Sequence, residues 1–172
     1  FAARVLSPAG TPIIGVKLGD FGFITEIGQS EWREAFDQYL LGRLPVAQRI
    51  MQQVTVERRG KSVAEFLGLN DTVISAAGIA KIIRLTLSVS SGSLGRYRAD
   101  GIIIATPTGS TAHSAAAGGP ILAPEMDAMI VNPICPFTLS HRPLVIPASE
   151  TIRIEVEEQQ RSDVLLTVDG QL

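Results

Sequence analysis

Residues 100–121, DGIIIATPTGSTAHSAAAGGPI, set an apolar run of Ile102, Ile103 and Ile104 against a cluster of small hydroxyl residues, Thr106, Thr108, Ser110, Thr111 and Ser114. A solvent loop has no need of so buried an approach, and a packed core has no use for so many hydroxyls. A ligand pocket at the end of a strand uses both. GIIIAT reads as a strand buried on both faces, broken by Pro107 and Gly109. STAHSAAA then reads as the start of a short helix with Ser110 or Thr111 at its cap, and Gly118-Gly119 ends the turn. Backbone N–H groups at such a start are unpaired and favour phosphate or other acceptors, and small side chains let a flat base or a ribose come close. On residue types and spacing alone, a nucleotide pocket and a tight structural turn are equally well served.

The elements that must position this stretch read mostly as strands. IRLTLSVSSGSLGRYRAD puts Ile83, Leu85, Leu87 and Val89 on one face and Arg84, Thr86 and Ser88 on the other. QQVTVERRGKSVAEFLGLND reads as a hairpin around Arg59-Gly60, TIRIEVEE repeats the alternation with Ile152, Ile154 and Val156 inward, and DVLLTVD closes the series. With the buried runs 102–105, 129–131 and 144–146, about eight short strands predict an antiparallel sandwich or related β architecture. Upstream the character changes. PIIGVKLGDFGF (12–23) reads as a short buried strand and a glycine-rich turn, as in an α/β sheet. SEWREAFDQYLLG reads as a helix capped by Ser30 and stopped by Gly42, with Trp32, Ala35, Phe36, Tyr39 and Leu40 on one packing stripe.

The bulk numbers bound the function. The 172 residues are 45% hydrophobic and 19% charged, enough apolar material for a core and too much for disorder. Fifteen basic against seventeen acidic residues give a net charge of −2 with no basic stripe, which argues against nucleic acid. No apolar stretch is long enough for a membrane span. The single cysteine, Cys135, excludes an internal disulfide and a cysteine-built metal site, and fits a reducing cytoplasm. The N-terminus lacks a signal-peptide pattern, and both ends read as interrupted, FAARVLSPAG without an initiator Met and LLTVDGQL just after a strand.

Several segments together resemble the bacterial NAD kinases. DGIIIATPTGSTAHSAAAGGPI is similar to that family's DG-(apolar)-TPTGSTAYS-x-x-AGGP signature. GVKLGDFGFITEI resembles its G-(V/I)-N-x-G-x-(L/F)-GFLTE segment, LGLND (67–71) its ALN(E/D) pair, NPICPFTLSHRPLVIP (132–147) its PI-C-P-H-(S/T)-LS-x-RPLV stretch, and TVDGQ (167–171) its DGQ. The likeness runs in order from about residue 10 to the C-terminus.

The resemblance implies an α+β to mostly β chain: an antiparallel, sandwich-like C-terminal β domain binding NAD over residues 43–172, and a remnant of an N-terminal α/β nucleotide-binding domain over residues 1–42. It implies phosphorylation of the 2′-hydroxyl of the adenosine ribose of NAD to give NADP, with ATP or polyphosphate as donor and a divalent metal, Mg by expectation. By the same resemblance Asn70 and Asp71 meet substrate hydroxyl and amide groups, and Arg98 and Asp100 sit by the nicotinamide end, often across a subunit interface. Thr111, Ala112, His113, Ser114, Ala115 and Ala116 line the adenine side, Lys81 lies near the pocket, and Asp169 and Gln171 face the same cleft. A homodimer or homotetramer through the β domain is implied. The chemistry suits these residue types. A secondary alcohol is a weak nucleophile that needs a placed base, and neutral hydroxyls and amides read ribose and base without charge repulsion.

The family's GGDGT loop, source of the base aspartate and much of the phosphate cradle, is not in these residues, so no catalytic base is assigned within the chain and the loop is expected upstream of Phe1. His113 stands where the family usually has Tyr, and Ala116 where it often has Ser, which alters the adenine wall. Simpler readings stand beside these. Asn70-Asp71 and Asp100-Gly101 suit plain turns, Cys135 a buried small hydrophobe, His141-Arg142 a structural pair, and EVEEQQRSD a solvated hairpin turn. His113 is no metal ligand by spacing, since no second ligand type stands nearby. Two competing functions are a lipid kinase of the diacylglycerol or sphingosine type and a noncatalytic dinucleotide-binding module.

Overall fold

The computed structural model describes residues 1–19, 25, 27–78, 82–138, 140–160 and 163–171, in two compact units, Phe1–Arg49 and Ile50–Leu172. The first unit holds helix α1 (Ala2–Leu6), a 3-10 turn (Ser7–Ala9), the paired parallel strands β1 (Val16–Lys17) and β2 (Ile27–Gly28), and helix α2 (Trp32–Leu40). Two expectations change here. The strand expected within 12–23 is two residues long and half-buried, with Ile13 exposed, while residues 20–23 lie outside the described residues. The N-cap position of helix α2 is Glu31 rather than Ser30, and no side chain caps it: the Glu31 carboxylate turns back to accept the Gly28 N–H at 2.9 Å. Its apolar stripe is not buried: Trp32, Phe36 and Leu40 are exposed. Gly42 does end the helix, in the left-handed region at φ 66° that glycine adopts without penalty.

The second unit is nearly all antiparallel β, as the alternating sequence requires. Strands β3 (Gln52–Arg58) and β4 (Lys61–Gly68) form a hairpin. Arg59 and Gly60 both have positive φ, 52° and 73°, the geometry of a tight type I′ hairpin turn. There follow β5 (Asp71–Ala76), β6 (Ile83–Val89), β7 (Gly92–Ala99), β8 (Gly101–Ala105), a 3-10 turn (Thr108–Thr111), the one-turn helix α3 (His113–Ala116), β9 (Ala128–Ile134), β10 (Leu144–Pro147), β11 (Ile152–Val156) and β12 (Val164–Val168). One sheet has the order β10-β9-β8-β5-β12 and another β11-β6-β7.

Burial explains the layering. Ile83, Leu85 and Leu87 point one way along β6 and are completely buried, while Arg84 between them is exposed. They pack with Tyr97, Ile102, Ile104, Met129 and Val131, so the three-stranded sheet covers one face of the five-stranded one. The opposite face carries a second cluster, Val73, Ile103, Ala105, Leu122, Ala128 and Ile130. Central strand β8 is therefore buried on both sides, which is why it reads as an unbroken isoleucine run. Ile103→Ala is expected to cost about 2–5 kcal/mol of unfolding free energy, read by urea titration. A loss well under about 1 kcal/mol would mean this second face is not packed.

EVEEQQRSD is not a hairpin turn. Strand β11 belongs to the three-stranded sheet and β12 to the five-stranded one, so the segment crosses between layers. The Gln160 side chain anchors the crossing on the Arg84 backbone, accepting its N–H at 3.2 Å and donating to its carbonyl at 2.7 Å. Val156, expected inward, is 42% exposed at the end of β11 where the covering sheet stops. No helix among the described residues is long and apolar enough to cross a membrane.

Candidate functional site

Because β5 runs antiparallel to both β8 and β12, the start of β5 meets the ends of the other two at one edge of the sheet. Asn70, Asp71, Thr106 and Asp169 come together there from three separate stretches of sequence. The Asp169 carboxylate accepts the backbone N–H groups of Leu69 (3.0 Å), Asn70 (2.7 Å) and Asp71 (3.3 Å). Its own N–H returns to the Asp71 carbonyl at 2.8 Å. From the other side, the Thr106 N–H donates to the Asn70 carbonyl at 2.9 Å and the Thr106 hydroxyl to the Leu69 carbonyl. Thr106 Oγ1 also accepts the Gly109 N–H at 3.1 Å, folding the TPTG segment back over Asn70.

What this corner offers a ligand is polar and buried. Asn70 Oδ1, Thr72 Oγ1 and Thr108 Oγ1 are buried without a hydrogen-bond partner among the described residues. Such atoms cost about 1–3 kcal/mol each unless a bound group completes them. Asp71 is buried, and its carboxyl is raised above the ordinary carboxylate value. Burial is the main cause, the His113 side chain opposes it, and the Asp169 charge adds to it. Buried hydroxyl, amide and carboxyl groups side by side suit the hydroxyls and amides of a neutral polar ligand face.

The 107–119 segment departs from the expected capped helix. Ser110 and Thr111 are not caps: they lie within the 3-10 turn, and their hydroxyls bond back to the Pro107 and Thr108 carbonyls, as short hydroxyl side chains tend to do. Ser110 Oγ also accepts the Leu122 N–H at 3.0 Å. Thr111 and Ala115 are half-buried, whereas Ala112, His113 and Ala116 are exposed. Ser114 is completely buried; Asn132 of β9 donates to its carbonyl at 3.0 Å and its hydroxyl at 3.3 Å. Gly119 packs against this pair so closely that a Cβ would stand 2.3 Å from Ser114 Oγ.

Arg98 and Asp100 stand elsewhere. Asp100 directly precedes β8, whose five residues separate it from the Asn70 corner by about 17 Å, and Arg98 lies near the end of β7 just before it. Asp100 is tied by its backbone to Ile134 and Ala76, and the Arg98 guanidinium lies 4.7 Å over the ring of Phe137. Gln171 is exposed and closes the turn after β12, exchanging backbone hydrogen bonds with Val168. Lys81 lies outside the described residues. Cys135, expected buried, is exposed, since φ 44° at the end of β9 swings it out of the sheet. His141 stacks on Tyr97 at 4.2 Å, a structural role. Among the described residues no three His, Cys, Asp or Glu side chains converge as a metal site.

Sequence reasoning singled out Thr106 and Gly109 without showing that both close on Asn70, and it overlooked Asn132. A Cβ on Gly109 would stand 1.9 Å from the Asn70 carbonyl oxygen. The signal was present in TPTG, a glycine three residues after a buried threonine, but nothing local says which backbone it touches.

The model of the ATP-NAD kinase C-terminal domain matches residues 69–172. The NAD kinase of Treponema pallidum (strain Nichols) is 47% identical over 170 residues, covering 99% of this chain and 56% of the relative. That of Moorella thermoacetica is 44% identical, covering 99% and 54%. The chain thus spans about half the length of the curated relatives it matches. Among solved structures, yeast NADH kinase complexed with NADH superposes with a TM-score of 0.85 at 32% identity, over 93% of this chain and 46% of that one. An NAD kinase from Archaeoglobus fulgidus in complex with ATP gives 0.78 at 26% identity, over 94% and 60%.

Proposed function

Because this chain belongs to the ATP-NAD kinase C-terminal domain family, we propose that it forms the dinucleotide-binding part of a kinase that phosphorylates the 2′-hydroxyl of the adenosine ribose of NAD. The observation that carries the proposal is the Asn70–Asp71 corner. A buried amide oxygen without a partner among the described residues and a buried carboxyl stand beside the TPTG segment, all within the residues that match the family. Asn70 and Asp71 hold ligand hydroxyl and amide groups. Thr111–Ala116 supplies the adenine side, with Ser114 anchoring it from beneath, and His113 and Ala116 replace the aromatic ring and hydroxyl of the resemblance. Gln171 borders the same edge, and Lys81 is placed near the pocket by resemblance alone.

In this reading ATP, or polyphosphate, supplies the phosphoryl group. The attacking ribose oxygen forms the new P–O bond as the donor's bridging P–O bond breaks, and the hydroxyl proton passes to a carboxylate base from a GGDGT loop outside these residues. A divalent metal is proposed to arrive with the donor phosphates, and no step passes through a metal held by this chain. Residues 1–42 are read as part of an α/β domain and 43–172 as the NAD-binding β domain, working in the cytoplasm as a homodimer or homotetramer. Arg98 and Asp100, at the far end of β8, serve the nicotinamide end of a ligand held by a second copy.

The test is NADP formation by the full-length gene product. Wild type should convert NAD with ATP, while Asp71→Asn and Asp100→Asn proteins each lose most activity. An equal mixture of the two variants should regain roughly a quarter of wild-type activity, because half of randomly mixed dimers carry one intact site. Absence of NADP from wild type overturns the kinase reading, and a mixture that regains nothing overturns the two-copy arrangement.

A further inference from the structure

We propose that Asp169 is a positioning residue: its carboxylate holds the consecutive peptide N–H groups of Leu69, Asn70 and Asp71, and so fixes where the Asn70 and Asp71 side chains stand without itself touching ligand. This rests on the reading of that corner as the ligand site.

The turn that carries Asp169 does not by itself need a carboxylate. Asp169 and Gly170 have φ of 51° and 69°, and Val168 and Gln171 exchange backbone hydrogen bonds, which together make a type I′ turn. Asparagine or glycine would serve such a turn at least as well as aspartate. What calls for an anion is the set of donors opposite. Successive N–H groups turned toward one point form a concavity with positive potential, and here a carboxylate from nearly 100 residues away fills it, at 2.7 to 3.3 Å.

The completeness of the arrangement fixes its role. The N–H groups of Leu69, Asn70 and Asp71 all go to Asp169. The Leu69 and Asn70 carbonyls go to Thr106, and the Asp71 carbonyl to the Asp169 N–H. Every backbone polar group of 69–71 is thereby engaged within the protein. The valences left for a ligand in that segment belong to side chains, among them Asn70 Oδ1, which has no partner among the described residues. Asp169 also acts on Asp71 through charge. Burial and, less strongly, the Asp169 carboxylate raise the Asp71 carboxyl, while His113 opposes them.

The decisive variant is Asp169→Asn, which keeps the left-handed turn and the side-chain volume while losing the charge and one acceptor. In the ligand-free 172-residue chain, the amide signals of Leu69, Asn70 and Asp71 should shift upfield and exchange faster, and the Asp71 carboxyl should titrate at lower pH, by NMR. NAD affinity should fall roughly 10-fold, as for loss of a charge-assisted hydrogen bond. A solely architectural residue would not move the Asp71 titration. Should affinity fall while those amide signals and the Asp71 titration stay in place, Asp169 acts on ligand directly and the proposal is overturned. It is equally overturned if the amides move and affinity does not. Failure of wild type to bind NAD removes the kinase reading, and the two ligand-free NMR measurements then decide alone whether Asp169 sets the corner.

Discussion

Replacing Gly109 with alanine is expected to reduce NAD affinity by at least about 100-fold, the largest loss anticipated for any single methyl group in this chain. The added Cβ would stand 1.9 Å from the Asn70 carbonyl oxygen, 2.3 Å from its carbonyl carbon and 2.7 Å from its Cα. These are backbone atoms, so no rotamer change relieves the contact. Either the TPTG segment lifts away, breaking the Gly109–Thr106 and Thr106–Asn70 hydrogen bonds, or the 69–71 turn is pushed off Asp169. Either displacement pulls the Asn70 and Asp71 side chains off the ligand, and losing about two hydrogen bonds, one of them to a charged group, is enough for a loss of this order. Stability should fall by about 1–3 kcal/mol as well, so the titration is paired with thermal unfolding to establish that the variant is folded. Gly92→Ala, at the start of β7 where a Cβ meets nothing within 4 Å, should bind as wild type does. Equal affinity for the Gly109 variant would mean the TPTG–Asn70 contact does not shape the site.

The second large effect belongs to Asp71, and it has opposite signs for binding and for stability. Its carboxyl is raised in the folded chain, chiefly by burial, so the native state disfavours the ionised form. A group raised on folding contributes stability that is fully present below its unfolded value, near 3.8, and is lost as pH climbs through the folded value. Asp71→Asn, which stays neutral, should therefore melt higher than wild type at pH 7, with the difference vanishing below about pH 3.8. Affinity for NAD should go the other way, falling about 10- to 100-fold through loss of a charged acceptor. The acid-side decline in wild-type affinity should begin at a higher pH than an ordinary carboxylate would give, and should be absent in the variant. A site that gains stability when its functional group is removed is the usual trade between binding and folding. If Asp71→Asn melts lower at pH 7, the carboxylate is stabilising where it stands and the electrostatic reading of this corner is wrong.

The parts of this architecture that sequence made legible are those written in local periodicity. Ile83, Leu85 and Leu87 alternate with polar residues, and one face of β6 is buried accordingly. The isoleucines of β8 do not alternate, and β8 is covered on both sides. Arg59-Gly60 marked its hairpin because two left-handed residues in succession have few uses other than a type I′ turn. What escaped depends on contacts distant in sequence. EVEEQQRSD looks like a hairpin turn because nothing local says that β11 and β12 join different sheets. Ser110 and Thr111 look like caps until their hydroxyls turn back to Pro107 and Thr108. Cys135 looked buried by residue type, and a single positive φ exposes it.

The site shows the same division. Asn70, Asp71 and the TPTG stretch could be singled out because their residue types are unusual beside buried strands. The spacing could not show that Asp169 binds backbone 98 to 100 residues earlier, nor that Arg98 and Asp100 lie at the other end of β8. The strand register decides both. An antiparallel neighbour brings the end of one strand beside the start of the next, and so gathers one group of residues while separating another.

The most direct test of the central claim, that the Asn70–Asp71 corner holds NAD, is calorimetric titration of NAD into the folded 172-residue chain beside its Asn70→Ala and Asp71→Asn variants. Saturable binding by wild type, weakened at least about 10-fold in both variants while each remains folded, is the predicted result. Absence of binding by wild type, or equal binding by all three proteins, would contradict it and move the ligand site away from this edge of the sheet.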